Sequence, residues 1–472
     1  MDGPVRRSIT VACRGGERVR RDTPTLVRVT GTVDIGDGRM LVPDNEWDRV
    51  HGSSRYPVVS VIIPYYDQPS QLSLVLTALA EQTYPADRLE VVVADDGSSQ
   101  PPPIDRWGAQ LNIVTIRQED RGFRAAAARN LGVSVSRGSV LCFLDADTVP
   151  TPDYVRAATR LPSILPDALV VGRRKHLSAA VTEPAWLVDA YERTGDLLHP
   201  GWDAYKYMIS AVMTCGRSLF DTVGGFDESF VQYGGEDWEF ANRAFMAGAV
   251  FAYERTALAW HDGPDWAERS VSARTDSKNA EALKLAPLIT DPAARRSGLR
   301  YRVPDCVVIV ASDSHSAASL SVTIASSVGA AEDCGVWIVG ANAANLYHEL
   351  GLDDSRVHLG EPDDWIRARC RFLVEVSGRV IFGKDSLRRL CAEVGPGAAG
   401  GVKVDFAGDG GSGIGDAAVT VWTSRALHRS RRWVAESGRS ELELMNSLFG
   451  VRRAPAATVG VQVAQSEPWL SW

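Results

Sequence analysis

The sequence predicts an α/β protein built on mostly parallel sheets, and three features carry that expectation. Continuous β-branched runs such as Val58-Val59-Ser60-Val61-Ile62-Ile63 have the composition of strands buried on both faces. These runs alternate with Ala-rich or amphipathic stretches of helical length, which is the spacing of strand, crossover and parallel strand. At 472 residues the chain is also long enough for two or three domains with cores of ordinary size.

Taken in order, residues 1–55 are polar and Arg-rich, with short alternating runs at Thr25–Val29 and Met40–Val42, and read as a small β-rich appendage. The first buried strand starts at Val58 and is expected to end at Pro64, which brings no N–H to a ladder. A helix over about 70–82 leads to a second strand at Leu89–Ala94, and a third follows at Ile113–Ile116. The Ala-rich stretch Phe123–Val135 is the next helix and Val140–Leu144 the next strand. Asp265–Arg300 is charged, Ala-rich and helical in pattern, so a boundary is expected near residue 300, with one domain over 56–300 and another over 301–472.

In the second domain the same order of elements returns. Val307–Val310 echoes Val61–Ile63, Val336–Val339 echoes Val91–Val93, and Arg371–Glu375 echoes Cys142–Ala146. Lys384–Arg389 similarly follows Thr151–Arg156, and Glu443–Phe449 follows Glu239–Phe245. Any two α/β domains share some of this pattern, but the run of matches reads as a degenerate internal duplication.

Composition narrows the function classes. With 51 Lys+Arg against 59 Asp+Glu, 45% hydrophobic residues and no short Gly or Pro period, the chain is neither collagen-like nor disordered in bulk. A net charge of −8 argues against a nucleic-acid partner. The 7 cysteines are dispersed without a CxxC, which suggests reduced thiols. The start Met1-Asp2-Gly3-Pro4 lacks the apolar core of a signal peptide, and no apolar run is long enough for a transmembrane segment. The expected location is therefore the cytoplasm, including a peripheral position on the inner face of the membrane held through a partner.

The chemistry gathers at strand ends, where open α/β sheets bind ligands. Asp145-Ala146-Asp147 follows the strand Val140–Leu144 directly, and two carboxylates at this spacing can hold a hard divalent cation and through it a diphosphate, or can be plain turn acids. Asp95-Asp96-Gly97-Ser98 closes the second strand, where acids can accept from a base N–H or a ribose hydroxyl. Tyr65 and Tyr66 close the first, where an aromatic ring can cover a nucleobase or fill the core. Arg124 and Arg129 open the Ala-rich helix, where they can face a phosphate or a base or simply be solvated.

The order IIPYYDQ, VVVADDGSS, RGFRAAAARNLG, LCFLDADTVPTPDY and GGFDESFVQYGGEDWEFANR resembles glycosyltransferase family 2, whose members have the nucleotide-sugar-binding GT-A fold. The GGFDE and GGEDWEF segments resemble the galactosyltransferase-like C-terminal part of bacterial chondroitin-type polymerases. The resemblance covers about Pro57–Asp262, so the implied architecture is a GT-A domain followed by a degenerate GT-A-like copy.

It also implies roles. Asp147 would hold the cation (Mn²⁺ or Mg²⁺) with His261, and Asp145, beside Ala146, would reach metal and ribose. Asp95, Asp96, Pro64 and Tyr65 would contact the uridine. Asp237 would be the base of an inverting transfer, and Glu236 would bind acceptor or donor sugar. The expected reaction moves a hexose or N-acetylhexosamine from a UDP-sugar to a hydroxyl of a glycan, lipid-linked, peptide or small-molecule acceptor.

In the second half the expected counterpart of Asp145-Ala146-Asp147 is Val374-Glu375-Val376, that of Asp95–Ser98 is Gly340-Ala341-Asn342-Ala343, and no matching histidine follows. This leaves 301–472 a packing, acceptor-binding or homodimer-forming role. The Gly-rich run 408–413 reads as a flexible loop. A catalytically idle glycan-binding or assembly protein is the alternative, and a nucleotidyltransferase, sharing the fold and the acidic site, is a third reading.

Overall fold

The computed structural model describes residues 31–50, 55–177, 183–231, 234–263, 271–296, 298–406 and 417–471. Thr25–Val29 and the Gly-rich run 408–413 lie outside them. The second alternating run does form a strand: β1 (Val33–Asp34) pairs antiparallel with β2 (Met40–Leu41).

The first large sheet contains β3 (Val59–Tyr65), β4 (Leu89–Asp95), β5 (Asn112–Arg117), β6 (Val140–Leu144), β7 (Thr148–Pro150), β8 (Ala168–His176), β9 (Val212–Gly216) and β10 (Val250–His261). Their spatial order is β5-β4-β3-β6-β9-β8-β10-β7. The pairs β5-β4, β4-β3 and β3-β6 are parallel, with β3, β4 and β6 buried along almost their whole length, while β9 runs antiparallel between β6 and β8. Ile62, Val92 and Phe143 are fully buried, and each such side chain contributes roughly 1.5–3 kcal/mol relative to exposure.

Pro64 does not end β3, contrary to the sequence expectation. The ladder to β4 continues to Tyr65, but the ladder to β6 stops at Ile62, so the edge on which Pro64 would have donated has no partner strand.

The helices Pro69–Ala80 and Ala125–Val135 arise where expected. The second lies close on the sheet because its inward positions are small: a Cβ at Gly132 would stand 2.7 Å from Cγ2 of Ile62. That close approach carries Arg129, on the same helix, beneath the strand ends.

The second large sheet contains β11 (Cys306–Ala311), β12 (Cys334–Val339), β13 (Val357–Leu359), β14 (Phe372–Ser377), β16 (Gly401–Asp405), β17 (Ala418–Thr423) and β18 (Val451–Pro455), with β15 (Val380–Phe382) and β19 (Val461–Val463) forming a separate pair. Its order, β13-β12-β11-β14-β17-β16-β18, and its pattern of parallel and antiparallel neighbours repeat those of the first sheet. The β15-β19 pair likewise repeats β7 with the end of β10.

This repeat corrects the correspondence read from the sequence. Thr148 pairs with His261 as Val380 pairs with Val463, and Asp262 N–H donates to Asp147 O as Ala464 N–H donates to Arg379 O. The counterpart of Asp145-Ala146-Asp147 is therefore Ser377-Gly378-Arg379, not Val374-Glu375-Val376. Matching Phe372 to Phe143 by residue type slipped the register, which hydrogen bonds and not side-chain letters define. Arg379, where the second acid of the motif would stand, pairs with Glu467 at 2.9 Å.

The segment 31–50 packs between the two sheets' domains. Val33, Ile35 and Leu41 join Trp433, Leu444 and Leu448 in one cluster, while Val42 and Val50 join Leu161, Ile164 and Leu165 in another. Charges are buried at the same junction: Asp167 accepts from Arg429 Nε at 2.7 Å and Trp433 Nε1 at 3.0 Å, with Arg432 beside it. Burial pushes the Asp167 carboxyl up, but Arg432 and Arg429 hold it below its ordinary value.

Candidate active site

The candidate residues meet at the C-terminal ends of β3, β4 and β6 and at the start of the helix Glu236–Met246. Gly234 and Gly235 turn the chain into that helix with φ of +97° and +94°, a conformation that side chains beyond glycine resist. The turn delivers Glu236 and Asp237 as the first two helical residues, where the N-terminal dipole favours carboxylates.

Arg129 joins the two acidic motifs. It is buried and donates to Asp145 Oδ1 at 2.9 Å and to Glu236 Oε1 at 3.1 Å. Its guanidinium therefore links the end of β6 to the Glu236 helix, a role that reading it as a phosphate ligand missed. Glu236 Oε2 is buried and has no hydrogen-bond partner.

Asp237 is partly buried, and Trp238 N–H donates to its Oδ1 at 2.9 Å. Burial, the neighbouring Glu236 charge and Glu281 push its carboxyl up to about 7, against the lowering effect of Arg129 and of the Trp238 N–H. A carboxylate tuned to neutrality is suited to take a proton near physiological pH.

Across the same space, Asp147 Oδ2 lies 3.3 Å from His261 Nε2. Burial pushes the Asp147 carboxyl up, and the His261 hydrogen bond and charge, the Thr148 hydroxyl and Arg174 bring it below its usual range. The pair fits a divalent cation with an oxygen and a nitrogen donor. Gly263 keeps the approach clear, since a Cβ there would stand 2.8 Å from Asp147 Oδ2 and 2.9 Å from His261 Nε2. Among the described residues no group of three or more His, Cys, Asp or Glu forms a closed metal cluster. Substrate phosphates and water would complete the shell, as is usual for Mg²⁺.

Asp95 and Asp96 spend most of their capacity on the protein. Asp95 Oδ1 accepts from Ser98 N–H at 2.8 Å, and Asp96 accepts from Gln118 and from Arg124 N–H at 2.8 Å, which fixes the loop ahead of the Ala-rich helix. Asp95 Oδ2 is buried without a hydrogen bond, with Arg117 3.5 Å away. Pro64 pairs with Ala94 in the ladder, Tyr65 is buried with its O accepting from Asp96 N–H, and Ala146 is buried beneath the two acids. The Arg124 side chain reaches Glu119 O, within the loop, rather than open solvent.

A cavity of about 910 Å³, a size suited to a nucleotide sugar and part of an acceptor, opens beside Asp145, Glu236 and Asp237, whereas Asp147, His261, Asp95, Asp96, Pro64 and Tyr65 are not among its lining residues. Asp145, Glu236, Asp237 and His176 line it, with Trp186 and Trp238 as aromatic walls. Arg174, Arg193 and Lys206 add positive charge. No sequence motif flagged His176, Gly263 or these cations. His176 and His261 are paired only by the register of β8 and β10.

Residues 60–212 match the family model described as Glycosyl transferase family 2, and residues 199–256 match that described as N-terminal domain of galactosyltransferase. The chain is similar to a hyaluronan synthase of Pasteurella multocida, at 27% identity over 47% of this chain and 26% of that protein. It is similar to a chondroitin synthase of Escherichia coli at 26% identity, over 47% of this chain and 37% of the other. A validoxylamine A glucosyltransferase of Streptomyces hygroscopicus subsp. jinggangensis is 31% identical over 49% of this chain and 60% of its own length. The chain thus spans between 26% and 60% of the length of these relatives. Among solved structures, the mannosyltransferase PcManGT from Pyrobaculum calidifontis, in complex with GDP-Man and Mn²⁺, is 22% identical with a TM-score of 0.39, over 50% of this chain and 68% of that one.

Proposed function

We propose that this chain, whose residues 60–256 match the family 2 and galactosyltransferase models, is an inverting glycosyltransferase that moves a hexose or N-acetylhexosamine from a UDP-sugar to an acceptor hydroxyl. The observation that carries the reading is Asp237, with its carboxyl pushed up to about 7, on the wall of a cavity that also holds Asp145. A binding module has no evident need for Asp145, Asp147, His261 and Asp237 together.

In the proposed step the acceptor oxygen attacks C1 of the donor sugar as the bond from C1 to the diphosphate oxygen breaks. The acceptor proton passes to the Asp237 carboxylate, and UDP leaves with the electron pair. Trp238 N–H holds Oδ1 and so aims the carboxylate. Glu236, with Oε1 held by Arg129, keeps Oε2 for a sugar hydroxyl that would satisfy it. A divalent cation, Mn²⁺ or Mg²⁺, held by Asp147 and His261 beside Asp145, would supply positive charge for the departing diphosphate. The uridine would rest over Pro64, Tyr65 and the ends of β3 and β4.

The test is UDP release from a panel of UDP-sugars with and without Mn²⁺. The reading expects release from at least one donor that EDTA abolishes. Release of pyrophosphate instead would assign a nucleotidyltransferase, and the absence of any turnover with a full donor and acceptor panel would favour the idle binding protein.

A further inference from the structure

We infer that His176 is a positioning residue for the cation site, setting the tautomer in which His261 can present Nε2 to a divalent cation. The inference rests on the proposed assignment of Asp147 and His261 to that cation. It adds a residue that neither the motifs nor the comparisons identify.

His176 and His261 are the last residues of the neighbouring parallel strands β8 and β10, and the register makes them direct partners. Both are buried, and their rings meet nearly edge to face, with centroids 4.9 Å apart and planes at 83°. The two Nδ1 atoms are 3.1 Å apart. At that separation one proton lies between them, so one ring donates and the other accepts. On its far side, His261 Nε2 faces Asp147 Oδ2 at 3.3 Å.

This chain of three side chains has two arrangements with the same number of protons. In the first, His261 donates Nε2–H to Asp147, and its Nδ1 accepts from Nδ1–H of His176. In the second, His261 Nε2 carries a lone pair, its proton is on Nδ1 and points at His176 Nδ1, and the His176 proton is on Nε2. Only the second can ligate a cation. It needs an acceptor at the position of His176 Nδ1, because otherwise the buried His261 Nδ1–H would lose its partner. His176 also borders the cavity.

The experiment measures Mn²⁺ binding to the full chain in the presence of UDP, from the electron paramagnetic resonance signal of free Mn²⁺. His176→Leu removes the acceptor and is expected to weaken Mn²⁺ binding by about 10–100-fold, the usual effect of losing such a partner. His176→Asn places a carboxamide oxygen near the position of Nδ1 and is expected to keep most of the affinity. Unchanged binding in His176→Leu, or equal losses in both variants, would overturn the inference. If the wild-type chain bound no Mn²⁺ with UDP, the cation assignment would fall first and this inference with it. A second measurement needs no variant: ¹⁵N-histidine spectra of the wild type, titrated with Mg²⁺ and UDP, should show both rings exchanging tautomers together. A His176 ring that kept its tautomer while Mg²⁺ bound would refute the role.

Discussion

Replacing Asp167 with Asn tests whether residues 301–472 are an integral part of the fold of residues 56–300. Asp167 follows the first domain's core residue Leu165 and receives Arg429, Arg432 and Trp433 from the second. Arg429 is buried, and burial pushes its guanidinium below the ordinary value while Asp167 pulls it back up. The amide keeps the shape of the carboxylate but removes the counter-charge, so Asp167→Asn leaves a buried guanidinium without a charged acceptor. Breaking a buried pair on one side costs about 3–5 kcal/mol, a large part of a net stability of roughly 5–15 kcal/mol. Urea unfolding followed by tryptophan fluorescence reads the loss directly, because Trp433 sits in the contact. Adding Arg429→Met should recover part of it, since the more deeply buried of the two stranded guanidiniums is then gone while Arg432 remains. A loss under about 1 kcal/mol, the range of exposed ion pairs, would refute the reasoning.

Three further outcomes follow from the site and the domain junction. In Glu236→Gln the larger of the two charges that raise Asp237 is removed, so the acid limb of the kcat/KM profile should move to lower pH; a limb that stays at about 7 would show that the Glu236 charge does not set it. Gly263→Ala should weaken Mn²⁺ binding by roughly tenfold or more, because its Cβ enters the approach to Asp147 and His261, and calorimetry with UDP measures this. Burial pushes His428 down to about 4, aided by Arg431, Arg432 and Arg367 and opposed by its contact with Met246 O, so its contribution to stability is present above about 6.5 and is lost as pH falls towards 4. His428→Gln, which cannot take a proton, should lessen that acid loss by roughly 3 kcal/mol in pH-dependent unfolding, and parallel curves for both proteins would contradict it.

The first domain was legible where sequence and contact coincide. Val59–Tyr65, Leu89–Asp95 and Val140–Leu144 are buried on both faces and announce themselves as β-branched runs, and the acids that follow them had to lie at strand ends. What the sequence hid depends on pairings between distant segments. Arg129 reads as a cation for phosphate or base, and its bonds to Asp145 and Glu236 place it between two motifs. The second half's register slipped because hydrophobic letters repeat more often than hydrogen bonds do. The segment Val33–Val50 carried no functional pattern, yet it packs against both domains, and Asp44 meets Arg425 there at 3.2 Å.

The same junction reaches the active site. Glu239, one turn below Glu236 and Asp237, accepts from Arg243 Nε at 2.6 Å and from Arg369 of the second domain at 2.9 Å. The degenerate domain therefore steadies the helix that presents the proposed base. Cutting the chain near residue 300 would strip Glu239, Asp167 and Asp44 of these partners, so point variants are the sounder probe of acceptor binding.

The central claim is that Asp237 takes the acceptor proton, and the kcat of Asp237→Asn tests it most directly. The amide preserves shape and the Trp238 contact but cannot accept a proton at neutral pH, so kcat should fall by about 10²–10⁴-fold while UDP-sugar affinity holds. Glu236→Gln, measured beside it, should lose less in kcat and more in sugar binding. A near-normal kcat in Asp237→Asn would contradict the assignment, and if Glu236→Gln alone lost turnover the base would be Glu236.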